Sequence, residues 1–247
     1  MTGQGLRVTI WNEHVHERED AHVAGLYPDG IHGALAAALA QHRPGDEVSC
    51  STLADPDQGL GDDRLDATDV LVWWGHMAQA QVADERAERV RRRVLDGMGL
   101  VVLHSGHLAK PFTLLMGTAC MLRWREGDDR CVMWAVDPGH PLAAGVPNPL
   151  IIPADEMYCE PFGIPAPDEL VFVSSYSGGE VLRSGCCFRR GSGRVAYLSP
   201  GHETYPVYHQ DGVRRLIANA VGWAAAPEGT RPPLDDAVWS PPGWYEA

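Results

Sequence analysis

The chain has 247 residues, of which 45% are hydrophobic and 21% are charged, and this balance excludes disordered, fibrous and low-complexity proteins. Its formal net charge of −13 argues against nucleic acid and anionic membranes as partners, because both are negatively charged. No apolar run approaches the roughly 20 residues of a membrane span, and residues 1–7 lack the pattern of a signal peptide, so we expect a cytoplasmic protein.

The first half of the chain alternates apolar runs with helical patterns. Four short apolar runs predict strands at residues 6–11, 47–53, 69–74 and 100–103. Helices are predicted at residues 31–41, 83–96 and 110–116, and the Asp/Gly-rich segment that ends near residue 66 is predicted as a loop. Apolar strands that alternate with helices predict a doubly wound α/β fold with a parallel sheet.

The second half of the chain does not show this alternation of strands and helices. Residues 117–168 contain short strand-like pieces and many prolines, and we interpret them as an inserted β-rich segment over one edge or the crevice. Strands are predicted at residues 170–176, 181–190 and 194–198, the last two as a hairpin, and a helix at residues 211–225. We expect one domain over residues 1–226 and a proline-rich tail over residues 227–247 that wraps the domain or contacts a second subunit, as in a homo-oligomer.

Histidines follow four of the predicted strands. They are His14 and His16 after the first strand, His76 after the third, His104 and His107 after the fourth, and His202 with Glu203 after the last. Any one of them alone would more often be a solvated or hydrogen-bonded loop residue. Ligands of open α/β sheets bind at the carboxyl ends of the strands, so four such sets predict a shared site.

Imidazole and carboxylate groups are suitable ligands for a divalent metal, zinc first among them. Such a metal with an open coordination position would activate water or a carbonyl group. Glu17, Glu156 and Glu160 could supply carboxylates, although an exposed loop is an equally good interpretation of the last two. The six cysteines include no C-x-x-C pair, so we expect reduced thiols and no thiolate zinc site.

Two other features have competing interpretations. Ser105 lies in a strand-to-helix segment that is similar to a nucleophile elbow, with His202 as base and Glu203 as its orienting partner, but both flanking glycines of that motif are missing. A helix N-cap is the simpler role for this serine. Trp73 and Trp74 could stack on a sugar, but tryptophans in an apolar strand usually belong to the core.

Several longer motifs resemble one known family. They are Trp11-Asn12-Glu13-x-x-His16-Glu17, Tyr27-Pro28-x-Gly30-Ile31-His32, Val72-Trp73-Trp74-Gly75-His76, Val102-Leu103-His104-Ser105-Gly106-His107, Glu156-Met157-Tyr158 and Pro200-Gly201-His202-Glu203-Thr204-Tyr205-Pro206. Together they resemble the trehalose utilisation (ThuA-like) family. The resemblance implies a flavodoxin-like, mostly parallel sheet similar to that of class I glutamine amidotransferases, with an elbow after the fourth strand. His104 would stand where those enzymes have a cysteine nucleophile, so amidotransferase chemistry is not expected.

The resemblance also implies a function. The family name points to disaccharide catabolism, and its members are thought to act beside sugar oxidoreductases that produce keto-sugars. We therefore expect a metal-dependent enzyme that acts on a small carbohydrate. The expected metal ligands are His76, His104 and His202 with His16 or Glu160, the acid/base is Glu203 or Glu17, and the substrate contacts are Trp74, His107, Tyr158 and Glu156.

Two alternatives remain open at this stage. One is a hydrolase that uses Ser105, and the other is a non-catalytic sugar-binding or regulatory protein. If His104 serves the site and not the fold, His104→Ala should leave the melting temperature nearly unchanged or raise it.

Overall fold

The first half of the chain forms parallel strands, as its hydrophobic pattern predicts. In the computed structural model, which describes residues 5–225, these strands are β1 (Arg7–Asn12), β2 (Glu47–Thr52), β3 (Val70–Trp74) and β4 (Gly99–Leu103). They are parallel neighbours in the order β2-β1-β3-β4, and each boundary lies within one residue of its prediction.

Seven α-helices occur in the described residues. They are α1 (His16–Glu19), α2 (Ala21–Leu26), α3 (Gly30–His42), α4 (Asp62–Asp66), α5 (Asp84–Leu95), α6 (Lys110–Met116) and α7 (Asp211–Ala224). The four predicted helices correspond to α3, α5, α6 and α7. The short helices α1, α2 and α4 lie where loops were predicted, because one turn of helix is too short for an apolar period to show.

The longer helices cover both faces of the sheet. Gly193 and Arg194 are consecutive in strand β9 (Gly193–Leu198) and therefore point to opposite faces. A Cβ atom on Gly193 would lie 2.1 Å from the carbonyl oxygen of Val94 in α5, whereas the Arg194 guanidinium lies over the ring of Trp223 in α7. Helix α5 thus packs on one face and α7 on the other, and strands β1, β3 and β4 are buried between such layers.

The second half of the chain adds antiparallel strands. They are β5 (Arg123–Ala135), β6 (Leu150–Cys159), β7 (Glu169–Ser175) and β8 (Val181–Arg190), followed by β9. Together with the first four strands they form one nine-stranded sheet within residues 5–225, in the order β2-β1-β3-β4-β9-β8-β7-β5-β6. Strand β9 is parallel to β4, and the predicted hairpin between β8 and β9 is confirmed.

The prediction of a mostly parallel sheet is therefore wrong. The fold is mixed α/β, because the hairpin at β8–β9 reverses the chain direction and every pair beyond it is antiparallel. The segment predicted as an insertion at residues 117–168 is a continuous part of this sheet: β5 and β6 are long strands at its edge. Most residues of β5 are exposed, so the strand lacks the apolar run that marks a buried one.

No helix in residues 5–225 is long and apolar enough to cross a membrane. The predicted wrapping tail at residues 227–247, with Trp239 and Trp244, lies outside the described residues.

Candidate functional site

The turn after β4 is a strained elbow centred on His104. This residue has a backbone φ angle of +45°, which residues other than glycine rarely adopt. Such strained backbone angles often occur at functional sites. Gly106 allows the turn to pass close to the sheet, because a Cβ atom there would lie 2.9 Å from Cγ1 of Val102. The elbow places the His104 ring, which is fully buried, at the carboxyl edge of the sheet.

Histidines from separate strand ends meet at this edge. The ring centres of His104 and His202 are 5.4 Å apart, and those of His202 and His76 are 5.2 Å apart. His16, at the start of α1, lies 6.1 Å from His76 between ring centres. His16, His76, His104 and His202, which follow β1, β3, β4 and β9, therefore lie close together, whereas His14 belongs to a separate group. We call these four histidines, with Glu156 and Glu203, the histidine cluster.

Glu203 orients two imidazoles of the cluster. Its Oε1 atom accepts hydrogen bonds from Nδ1 of His16 at 2.6 Å and from Nδ1 of His76 at 2.5 Å. Burial raises the pKa of Glu203, but the hydrogen bond from His76 and nearby positive charge outweigh it and lower the pKa to about 2. Both histidines thus carry their proton on Nδ1, which leaves each Nε2 lone pair free to accept a proton or bind a metal.

His104 and Glu156 form a buried pair. Nδ1 of His104 donates to the carbonyl oxygen of Ser199 at 2.7 Å, and Nε2 lies 3.0 Å from Oε2 of Glu156. Burial lowers the pKa of His104, but the hydrogen bond to Glu156 and the charge of Asp155 outweigh it and raise the pKa to about 8. Glu156 lies in β6 and is 4% exposed, so the exposed-loop interpretation of this residue is wrong.

His202 lies between the two carboxylates of the cluster. Its Nε2 atom is 3.8 Å from Oε2 of Glu156 and 3.7 Å from Oε1 of Glu203, and it has no hydrogen-bond partner among the described residues. Burial, with the positive charge of His104, lowers the pKa of His202 to about 4, so the ring is neutral near pH 7. Oε2 of Glu203 is likewise buried without a partner in the described chain.

Two carboxylates behind the cluster hold its loops in place. Asp155 is fully buried and accepts backbone hydrogen bonds from Gly201 and His202, both at 3.1 Å. Glu13 accepts the backbone amides of Met77 and Ala78, which fixes the turn after His76. Neither role could be predicted from the sequence, because each depends on backbone amides that are distant along the chain.

A cavity of about 230 Å³ leads from the protein surface to the cluster. The residues that line it are His76, Ser105, His107, Leu108, Met121, Leu122, Trp124, Glu126, Glu156 and Tyr158. Tyr158 stacks on His104 with ring centres 4.5 Å apart and planes 7° apart, so the cavity floor is continuous with the cluster. Three of the predicted substrate contacts, His107, Glu156 and Tyr158, thus line the cavity.

Ser105 lacks the surroundings of a catalytic serine. Its Oγ atom lies 3.0 Å from the hydroxyl of Tyr158, and no imidazole in residues 5–225 forms a hydrogen bond with it. The strained position of the elbow belongs to His104, one residue earlier. The predicted N-cap role is also wrong, because the helical turns at residues 104–108 and 110–116 have no side-chain cap.

Three predicted site residues lie outside both the cluster and the cavity that leads to it. Trp74 is fully buried and donates its indole N–H to the carbonyl oxygen of Gly201, so it is a core residue and cannot stack on a sugar. Both carboxylate oxygens of Glu160 are bound by Arg183, which leaves none for the histidines. Glu17 is turned toward a separate group near the end of β1.

That neighbouring group contains His14, Glu17 and His32. The side chain of Asn12 contacts all three residues. Its NH₂ group donates to Oε1 of Glu17 at 2.6 Å and lies 2.9 Å from Nδ1 of His32. Its oxygen accepts a hydrogen bond from the backbone amide of His14. Nδ1 of His32 must therefore act as an acceptor, which places the ring proton on Nε2. A neutral imidazole in this tautomer is a hydrogen-bond donor and a poor metal ligand through Nε2.

The fold and the site together define a class: a mixed α/β domain whose fourth strand ends in a strained elbow beside a buried histidine–carboxylate cluster. A family model described as trehalose utilisation (ThuA) matches residues 7–224. The chain belongs to this ThuA family. A comparison with curated proteins finds no match.

Several solved structures have a similar fold. A ThuA-like protein from Parabacteroides merdae ATCC 43184 has a TM-score of 0.66 at 15% identity, and the match covers 94% of each chain. A ThuA-like protein from Bacteroides uniformis ATCC 8492 has a TM-score of 0.65 at 16% identity, over 91% of this chain and 93% of that one. The β-galactosidase from Rahnella sp. R3 has a TM-score of 0.55 at 15% identity, over 91% of this chain and 33% of that one. At these identities the similarity concerns the fold alone.

Proposed function

We propose that this ThuA-family protein is a metal-dependent enzyme that performs acid–base chemistry on a small carbohydrate or keto-sugar. The observation that carries the proposal is the pair of unpartnered buried atoms in the cluster, Nε2 of His202 and Oε2 of Glu203. Buried polar atoms are nearly always satisfied in folded proteins. Nε2 of His202 has a lone pair when Nδ1 donates to Oγ1 of Thr204, 2.7 Å away, and a cation can satisfy both that lone pair and a carboxylate oxygen.

The residues best placed to hold a divalent cation are His104, Glu156 and His202. One potential ligand atom from each lies within 4.8 Å of the others, and all three residues are buried. Zinc is our first choice because it accepts a mixture of imidazole and carboxylate ligands. A cation bound there would polarise a carbonyl or hydroxyl oxygen of the substrate. Binding would require a neutral His104, so it would displace the proton that the imidazole shares with Glu156.

His76 is the residue we assign to proton transfer. Its side chain lines the cavity, its Nδ1 atom is bound by Glu203, and its Nε2 atom has a free lone pair. A base that is oriented by a carboxylate through its other nitrogen has the arrangement common to many catalytic histidines. Burial lowers the pKa of His76, but the hydrogen bond to Glu203 outweighs it, so the ring accepts a proton more readily than a free histidine.

These assignments change the roles expected of the acidic residues. Glu203 orients His16 and His76, and with a pKa of about 2 it is too weak a base to take the substrate proton. We assign Glu17 no role in this reaction, because it belongs to the separate group with His14 and His32, and Asn12 and the backbone amide of Ile31 hold its Oε1 atom. The substrate class rests on membership of a family described as trehalose utilisation. A cytoplasmic location fits the six free thiols.

The test combines metal content with proton exchange. Untagged protein is analysed for bound metal and then incubated in D₂O with the keto derivatives of trehalose and glucose, and NMR follows deuterium entry at the carbon beside the carbonyl. Trehalose itself, which has no carbonyl, is the negative control. We expect about one cation per chain, and exchange that is lost in His76→Gln and in His202→Ala. Protein without any cation, and without a thermal shift in zinc or manganese, would contradict the metal assignment. Sugar binding without exchange or turnover would instead favour the non-catalytic alternative.

A further inference from the structure

We infer that Trp124 is a sugar-stacking residue at the mouth of the cavity, where it holds the second ring of a disaccharide or glycoside whose first ring occupies the cavity. This inference rests on the proposed function and extends it from a substrate class to a binding subsite. Neither the hydrophobic pattern nor the family motifs single out this residue.

The placement of Trp124 follows from strand register. Trp124 in β5 is paired directly with Tyr158 in β6, and directly opposed residues of antiparallel strands project on the same face. Tyr158 in turn stacks on His104. Trp124, which is exposed, and Tyr158, which is buried, thus line the same cavity, and Tyr158 connects it to an imidazole of the histidine cluster.

The alternation along β5 separates a cavity face from an outer face. Trp124 and Glu126 both line the cavity, whereas Arg125 between them forms ion pairs with Asp129 and Glu180. The cavity rim therefore offers one flat apolar surface and one carboxylate two residues away. A sugar ring has matching features, because its C–H face is apolar and its edge carries hydroxyl groups.

Exposure alone would not support a role for Trp124. The side chain is 60% exposed, but Trp134 on the same strand is 49% exposed and does not line the cavity. What distinguishes Trp124 is its position between solvent and buried polar groups, the arrangement of pockets that bind small molecules through a few aromatic and polar contacts. Met121 and Leu108, both exposed, extend the apolar rim beside it.

The size of the cavity indicates which part of the ligand Trp124 meets. A volume of about 230 Å³ lies below the ~300–1,000 Å³ typical of pockets that enclose a drug-sized ligand. A single sugar ring can enter, while a second ring attached to it must stay at the mouth. Trp124 is the large aromatic group that lines this mouth, so it meets the second ring.

The experiment measures binding of trehalose, glucose and their keto derivatives by calorimetry, with metal-loaded protein. Variants are Trp124→Ala, Trp124→Phe and the matched control Trp134→Ala. We expect Trp124→Ala to weaken binding of the disaccharides about tenfold and binding of the monosaccharides less than about twofold, whereas Trp124→Phe keeps most of the affinity. Trp134→Ala should bind all four sugars as the wild type does.

Failure of this inference can be told apart from failure of the proposed function. If wild type binds the sugars, His202→Ala does not, and Trp124→Ala matches Trp134→Ala, the stacking role is wrong while the site assignment stands. A change in oligomeric mass on Trp124→Ala, measured by light scattering, would also overturn it, because the ring would then belong to a contact between two copies of the chain. If wild type binds none of the four sugars, both proposals fail.

Discussion

Nε2 of His104, in the elbow after β4, lies 3.0 Å from Oε2 of Glu156 in β6, 52 positions later in the sequence. The other ring nitrogen of His104 is bound to the backbone of Ser199. His104 is therefore a structural and a functional residue at once, and its replacement affects both properties.

The first prediction concerns the stability of substitutions at His104. Removing the imidazole leaves Glu156 buried without its partner, so His104→Ala should lower the unfolding free energy by about 1–3 kcal/mol. This replaces the expectation of unchanged or higher stability that assumed a histidine without structural contacts. Because φ is +45° here, His104→Gly should be more stable than His104→Ala by about 1 kcal/mol, the reverse of the usual order. Urea unfolding of both variants measures the difference, and an alanine variant more stable than the glycine variant would contradict the strained elbow.

The second prediction concerns pH. The pKa of His104 rises from an ordinary 6.5 to about 8 in the folded chain. The pair with Glu156 therefore stabilises the fold fully below pH 6.5, and this contribution disappears as the pH rises through 8. In protein treated with EDTA, the unfolding free energy of wild type minus that of Glu156→Gln should be larger at pH 6 than at pH 9.

Glu160→Gln is the control for this measurement. Burial raises the pKa of Glu160, but the hydrogen bonds from Arg183 outweigh it and lower the pKa, so this carboxylate stays ionised from pH 6 to pH 9. Its difference from wild type should be constant over the same range. A constant difference for Glu156→Gln as well would mean that Glu156 does not raise the pKa of His104.

The third prediction separates residues that support the cluster from residues that do not. Glu203 is ionised and its Oε1 atom lies 3.7 Å from Nε2 of His202, a proposed metal ligand, so loss of this negative charge in Glu203→Gln should weaken zinc binding about tenfold. Glu160→Gln should leave zinc binding unchanged, because Arg183 already holds that carboxylate. Competition with a fluorescent chelator measures both affinities. Equal losses in the two variants would argue against the arrangement proposed here.

The fourth prediction concerns Ser105. Its hydroxyl faces Tyr158 and not a base, so we expect no covalent adduct with a fluorophosphonate. Intact-mass spectrometry after incubation with the probe provides the measurement. A stoichiometric adduct that Ser105→Ala abolishes would restore the hydrolase alternative.

The sequence determined the elements whose signal is local. The apolar runs of β1, β3 and β4 and the amphipathic pattern of α5 depend on neighbours within a few residues, so their positions could be predicted nearly to the residue. The rule that parallel strands end at one edge was enough to place His76, His104 and His202 in one site. Strand β5 could not be predicted in this way, because a strand with one exposed face has no continuous apolar run.

Only the tertiary structure decided which partners these residues have. His16 and Glu203 are 187 positions apart and share a hydrogen bond, while Glu160, only four positions from Glu156, is bound by Arg183. Trp74, in an apolar strand, is core, and Trp124, in a polar one, lines the cavity. Each of these outcomes depends on how strands distant along the chain are paired, and hydrophobic periodicity reports only the direction of a side chain, not the residue it meets.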